Sequence, residues 1–249
     1  MAMGAMTEGQ EGHKMNRHGV TPDLLAAGRA ALRPADRGVA SSTHERFTVR
    51  RGGLSNAEFA DFTVQTRRAM AKLDTKYTAN RMFTETNATL RASHGWVDIQ
   101  RSANVNDAEA QVANRHNPNL GMYRQANGQR GAGGIGTTVN WNPDNLVVGA
   151  ERRPNFIGLG HELVHAWRNA HGATMFRRSA LDEFNALPAQ RPAMRQARIV
   201  ATGTDEGETV GLMRRPGEWM PSENHIRQEH FLLRRLDYGD YFQGGVRQF

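Results

Sequence analysis

The strongest constraint on how this chain folds lies in residues 154 to 172, Pro154-Asn-Phe-Ile-Gly-Leu-Gly-His-Glu-Leu-Val-His-Ala-Trp-Arg-Asn-Ala-His-Gly172. Phe156, Leu163, Trp167 and Ala170, with Gly160 between them, repeat at helical spacing and give one side fit for burial. Pro154 suits a first helical turn, and Gly172 suits the residue just past the last one. On that helix, His161-Glu-Leu-Val-His165 forms an H-E-x-x-H pattern. Residues four apart fall about 40° apart around an axis of 3.6 residues per turn, so both imidazoles can reach one metal ion from one face. Glu162 then stands beside them, in the position of a general base next to the metal's water. A five-residue pattern also arises by chance, with its glutamate and histidines serving as ordinary hydrogen-bonded core residues. The helix boundaries and the small residues around the pattern favour the metal.

Composition narrows the chemistry. The chain has 249 residues, enough for one large or two small domains with a real core. It has no cysteine, so disulfide scaffolds, thiolate metal sites and cysteine nucleophiles are excluded, and metal ligands must be His, Asp or Glu. No run approaches the roughly 18 apolar residues of a membrane span, and no apolar core follows the basic N-terminus as in a secretory leader. The formal net charge is +7, and all but Lys14, Lys72 and Lys76 of the 32 basic residues are arginine. A basic surface attracts nucleic acid, anionic membranes or acidic proteins. Here the arginines are scattered, without the aromatic interleaving of an RNA-binding surface, so neither nucleic acid nor membrane is expected as a partner. The arginine excess fits a GC-rich coding sequence; scarce lysine would also spare a protein working in a eukaryotic cell from ubiquitination.

Along the chain, residues 1 to 45 are poor in large apolar side chains and read as a disordered N-terminal region, with Thr21 to Leu32 as one short partner-binding helix. Residues 46 to 249 read as the globular domain. Phe47 to Arg50 predicts a short strand. Ser55 predicts the N-cap of a helix through Lys72, with Phe59, Phe62, Val64, Met70 and Leu73 toward the core. Trp96 to Gln100 alternates as a half-buried strand, and residues 102 to 129 read as a long polar loop. The glycine-rich Gly131 to Gly136 lacks the G-K-[ST] of a phosphate loop and precedes a strand, Thr137 to Trp141, with Val139 and Trp141 on one face. That strand is expected at a sheet edge, where a peptide can add by main-chain hydrogen bonds. Residues 173 to 200 read as a connection broken near Pro188 and Pro192, and Thr202 to Gly211 as the start of a further element. Pro221-Ser222 predicts a last helix carrying Ile226, His230, Leu233 and Tyr238, followed by a poorly ordered end from Gly239. The fold class is α+β, a small twisted sheet packed on the 154–172 helix and further helices.

A catalytic metal needs a third protein ligand and an open position for water. His171 lies ten residues after His161, the spacing of H-E-x-x-H-x-x-G-x-x-H. That pattern needs a glycine where this chain has Arg168, so the helix continues and His171 lies about 240° from His165 around the axis. It reads as a polar residue at the helix C-terminus, where a cation is favourable. The other source is an acid from a later element. Asp205, Glu206 and Glu208 cluster beside Thr209-Val-Gly211, far enough along for a second helix to pack beside the first.

Three segments in order carry a resemblance: His161-Glu-Leu-Val-His165-Ala, Glu206-Gly-Glu-Thr209-Val-Gly211 and Arg235-Leu-Asp-Tyr238. They resemble the zinc endopeptidase plan of the clostridial neurotoxin light chains. In size, and in Val139-Asn-Trp-Asn-Pro143 and Ser222-Glu-Asn-His-Ile-Arg-Gln-Glu229, the chain is more similar to the NleD-like effector metallopeptidases, which type III secretion delivers into host cells. The resemblance spans roughly residues 130 to 240. It implies a zincin-like domain, one Zn2+ held by His161, His165 and Glu206, and Glu208 as a neighbour. It further implies Glu162 as general base, with Arg235 and Tyr238, three apart on one helical face, as donors to the oxyanion; Arg234 is the alternative arginine. Glu223 and Asp205 are candidates to hydrogen-bond the free N–H of a ligand histidine. By the same resemblance the substrate is a host protein, with mitogen-activated protein kinases of the JNK and p38 type as candidates. The N-terminal region would serve secretion with a chaperone, and the protein would act as a monomer in the host cytoplasm. Two other readings stand beside this one: a non-enzymatic basic adaptor with a degenerate zinc site, and a nucleic-acid-binding protein driven by its arginines.

Overall fold

The computed structural model describes residues 44–104, 106–112, 117–148, 151–176, 186–236, 242–243 and 246–247. The chain divides into Met1–Gly38 and Val39–Phe249, and every described residue belongs to the second unit. The expected helix Thr21 to Leu32, nearly all of the expected N-terminal region, and Tyr238 lie outside the described residues.

Four strands form a mixed sheet in the order β1-β2-β4-β3. β1 (Phe47–Val49) runs parallel to β2 (Val97–Arg101), and β2 parallel to β4 (Thr137–Trp141), with Ile99 opposite Val49 and Val139. β3 (Asp107–Ala110) pairs antiparallel with β4. Parallel neighbours need a crossover, and two helices supply it between β1 and β2: α1 (Asn56–Asp74) and α2 (Tyr77–Ser93). The period-two pattern holds on β2 and β4, since Val97, Ile99, Val139 and Trp141 are fully buried. β4 is not at the edge, however. β3 covers it, in the stretch expected to be loop. Asp107-Ala-Glu-Ala110 has only alanine to offer a core, so no hydrophobic alternation marks it, and its charges suit an edge.

α1 starts as expected at Ser55. The Ser55 Oγ accepts from the Glu58 N–H at 3.3 Å, and Glu58 Oε2 accepts from the Ser55 N–H at 2.9 Å, a reciprocal capping box. Phe62, Met70 and Leu73 are buried, while Phe59 and Val64 are half-buried. α2 has no counterpart in the sequence reading. Its inward stripe mixes Ala79, Met82, Phe83 and Leu90 with Thr78, Thr86 and Asn87, so small polar residues dilute the apolar period.

α3 (Asn155–Ala170), the predicted helix, has Pro154 as its N-cap and His171 as its C-cap, with Gly172 beyond at φ +65°. It packs against β3, β4 and every other long helix. Ile157, Leu159, Leu163, Val164, Trp167 and Ala170 are all buried to within 1%. At about 1.5–3 kcal/mol for each large apolar side chain, this helix anchors the domain.

Two further helices complete it. α4 (Arg191–Val210) begins where a break was expected, because Pro192 sits in its first turn, where a missing N–H costs nothing. Thr202 to Gly211 is therefore the second half of a helix and not the start of a new element; Gly211 ends it at φ +90°. α5 (Glu223–Glu229) is capped by Ser222, whose Oγ accepts from the His225 N–H at 3.2 Å. It is shorter than expected. Its C-cap is His230, Phe231 turns the chain at φ +58°, and Leu233 is 86% exposed. β5 (Val147–Val148) with β6 (Glu151–Arg152), and β7 (Phe242–Gln243) with β8 (Val246–Arg247), are small antiparallel pairs.

Leu73→Ala should cost about 2–5 kcal/mol and Ser55→Ala about 1 kcal/mol in urea unfolding, since the first opens a core cavity and the second frees one helix-end donor. Equal costs would mean that the α1 contact with α3 is poorly packed.

Candidate metal centre

One turn of α3 separates His161 from His165, and their ring centroids stand 5.0 Å apart. Glu206, from α4, meets both. Its Oε2 lies 3.4 Å from His161 Nε2 and 3.2 Å from His165 Nε2. These three side chains offer one ligand atom each, all within 4.8 Å of one another, an arrangement that could hold a metal ion.

The other ring nitrogens decide whether the trio fits a cation. His161 Nδ1 lies 2.9 Å from Glu223 Oε2, and His165 Nδ1 lies 3.6 Å from Asp205 Oδ2. Ionised carboxylates only accept, so Nδ1 is the protonated nitrogen and a neutral ring turns its Nε2 lone pair toward Glu206. Two lone pairs and a carboxylate aimed at one point repel unless a positive charge lies among them. The same demand for positive charge acts on the rings themselves, as a pull toward protonation: burial opposes charge on His165, but the Glu206 and Asp205 carboxylates outweigh it and hold its pKa well above the ordinary value. Burial likewise opposes charge on Glu206, and the two histidines overcome it, keeping its pKa well below the usual range. Two imidazoles and one carboxylate with no thiolate are a donor set that suits Zn2+ with one position left open.

A buried ion cluster brings Glu206 to this point. Arg168, fully buried on α3, donates from Nη2 to Asp205 Oδ1 at 2.7 Å, to Glu208 Oε2 at 2.8 Å and to the Ala173 carbonyl at 2.9 Å. Asp205 and Glu208, three apart, share one face of α4; Glu206 is rotated by about 100° from Asp205, toward the histidines. Arg215 takes the other oxygen of Glu208 at 2.7 Å. Thus Glu208 belongs to the arginines and not to the trio. Sequence reasoning saw Arg168 only as the residue replacing a glycine. Its signal was there: a single arginine on the histidine helix, facing a stretch with three acids.

Glu162 is 5% exposed, and burial first of all raises its pKa, with the Glu206 and Asp107 charges adding to the effect and the two histidines opposing it. His171 stands at the helix C-terminus, as the C-cap of α3. It stacks on Trp167 at 4.4 Å, its Nδ1 donates to the Trp167 carbonyl at 2.8 Å, its Nε2 lies 3.2 Å from Thr89 Oγ1, and burial lowers its pKa. Arg235 stands outside any helix. Its Nη1 lies 3.4 Å from Glu223 Oε2, and its main chain pairs with the Asn224 side chain. Glu223 is gripped again by Arg227 Nε at 2.7 Å. Arg235 lies beyond the end of α5 at Glu229 and braces the carboxylate that holds His161, while Tyr238, its expected partner, lies outside the described residues. Arg234 is exposed.

Metal analysis after dialysis should find about one zinc per chain in the wild type and in His171→Ala, and none in His165→Ala or Glu206→Ala. Glu223→Gln should weaken zinc by roughly 10–100-fold, the usual effect of losing a partner behind a ligand histidine. Arg168→Met leaves Asp205 and Glu208 buried without their cation and should cost about 3–5 kcal/mol of stability, read by thermal unfolding. A variant as stable as wild type would deny the ion cluster its role.

No helix among the described residues is long and apolar enough to cross a membrane. Comparison with curated proteins and with solved structures returned no match. The Peptidase_M91 family, described as effector protein, matches residues 50–238, a span that contains α1 to α5, both histidines, Glu162 and Glu206. That span is most of the chain, and it agrees with the likeness to NleD-like effector metallopeptidases read from the motifs: the chain belongs to the Peptidase_M91 family of effector proteins.

Proposed function

We propose that this chain is a zinc-dependent endopeptidase, delivered as an effector into a host cell, that hydrolyses peptide bonds in host proteins. The observation that carries the reading is the convergence of His161, His165 and Glu206 on one point beside Glu162, in a chain of a peptidase family. A zinc ion held by these three would lower the pKa of a coordinated water toward about 7 and polarise the scissile carbonyl. Glu162 then takes the proton of the attacking water and passes it to the leaving amine. Burial suits it to that task, because a carboxyl whose pKa is raised holds the proton long enough to deliver it. Glu223 and Asp205 keep the two imidazoles in the tautomer and orientation that ligation needs.

An extended substrate has a place to lie. No described strand pairs with the outer edge of β3, β3 packs beside α3, and the Asp107 charge reaches Glu162. A peptide adding to this edge would pass Glu162 with its main chain hydrogen-bonded. The likeness to NleD-like effectors extends the proposal to mitogen-activated protein kinases of the JNK and p38 type as substrates. It also extends to type III delivery into the host cytoplasm, a secretion chaperone for the N-terminal region, and action as a monomer.

Glu162→Gln should keep its zinc yet cut at least about 10²-fold more slowly than wild type, the lower bound for losing a general base. Mass spectrometry of purified kinases and of a host lysate, with and without chelator and zinc repletion, reads the effect. Cleavage by Glu162→Gln at the wild-type rate, or by chelated enzyme, would exclude the mechanism.

A further inference from the structure

Arg153 immediately precedes the N-cap of α3, is only 6% exposed, and forms no ion pair with any described carboxylate. Its Nε is buried without a hydrogen-bond partner. Glu223 and Glu162 attract it from further off, but Glu223 already serves His161, Arg227 and Arg235. A second orphan lies beside it. Asn106 accepts from the Asn142 N–H through Oδ1 at 2.8 Å, which fixes its amide and leaves Nδ2 buried with no acceptor. Both donors converge over Gly158. A Cβ built there would stand 2.7 Å from Asn106 Nδ2 and 3.3 Å from Arg153 Nη2. Without a Cβ, Gly158 lets both donors stand close over the first turn of a sixteen-residue helix with no side-chain cap. A buried guanidinium, an orphan amide and an uncapped helix start all call for negative charge.

We propose that Arg153, Asn106 and the α3 N-terminus above Gly158 form a specificity pocket for an anionic side chain of the substrate, a carboxylate or a phosphate. The proposal rests on the peptidase reading above. Gly158 and Glu162 share one face of α3, one turn of about 5.4 Å apart, while an extended peptide advances about 3.3 Å per residue. The anionic residue therefore sits one or two positions from the bond that is cut. Burial lowers the pKa of Arg153, the mark of a cation placed where water does not compensate it. A bound anion would supply that compensation.

The test is a randomised synthetic peptide library containing Glu, Gln, Ser and phosphoserine, digested by zinc-loaded wild type, Arg153→Gln and Gly158→Ala. Wild type should favour Glu or phosphoserine over Gln or Ser at one position near the cut by at least about tenfold, the scale of a hydrogen bond to a charged group. That ratio should fall toward one in both variants; the Glu and phosphoserine arms tell the two anions apart. Alanine is a better helix former than glycine, so Gly158→Ala pushes the Asn106 and Arg153 donors aside without unfolding the helix, and circular dichroism checks this. A wild type with no anionic preference, an undiminished ratio in Arg153→Gln, or an equal loss of kcat on acidic and neutral peptides would overturn the proposal. Should wild type cut no peptide at all, the peptidase reading falls, and fluorescence anisotropy still decides the pocket. Glu-containing peptides should then bind Glu162→Gln about tenfold tighter than their Gln counterparts, and lose that margin when Gly158→Ala is added.

Discussion

The buried guanidinium of Arg168 is the interaction on which the rest of the centre depends. It cannot shed its charge, and out of water it must be matched by anions in good geometry. Asp205 and Glu208 provide the match, so α4 can dock on α3 in only one register. A slip by one residue would rotate α4 by about 100° and leave the guanidinium bare. The same register turns Glu206 onto His161 and His165. One ion cluster therefore sets helix docking and the convergence of the three side chains at once. Because Arg168 lies on the helix that carries both histidines, no loop intervenes between the anchor and the two imidazoles.

The opposite side of the centre is built on the same logic with the signs exchanged. Glu223 is a fully buried acid at the start of α5, gripped by Arg227 and Arg235 and turned onto His161 Nδ1. Each imidazole thus has a carboxylate behind it from a different helix, and each carboxylate is held in place by arginine. Some of the arginine that makes the chain basic lies inside it. Arg124, Arg168, Arg227 and Arg235 are all buried and engaged with acids or main-chain carbonyls, and Arg124 and Arg130 together clasp Glu218. A composition that reads as a nucleic-acid-seeking surface is in part an interior ion network. Arg153 stands apart from this economy as a buried cation whose acid is not supplied by the described residues.

Elements whose signal is local were legible. The Ser55 capping box, the alternation of Val97 and Ile99 on β2 and of Val139 and Trp141 on β4, and the apolar side of α3 each act within a few residues of themselves. Elements whose signal is diluted or positional were not. Threonine and asparagine inside the stripe of α2 hid its period, alanine and acid along β3 hid a strand, and Pro192 looked like a break because a proline tolerated in a first turn is fatal only further in. The length of α5 could not be read either, since nothing in His230-Phe-Leu-Leu233 opposes a helix, yet the chain turns at Phe231 with φ +58°.

By itself the sequence determined that two imidazoles would share one helix face with Glu162 between them, because helical periodicity places residues four apart on the same side whatever surrounds them. It also put candidate acids at 205, 206, 208 and 223. Only the tertiary structure decided which acid does what. Three carboxylates within four residues are chemically near-equivalent until a packed neighbour distinguishes them, and Arg168 does so by claiming Asp205 and Glu208 and leaving Glu206. Likewise, Glu223 becomes the partner of His161 only because α5 packs against α3, a contact between positions far apart in the chain and invisible to any local rule.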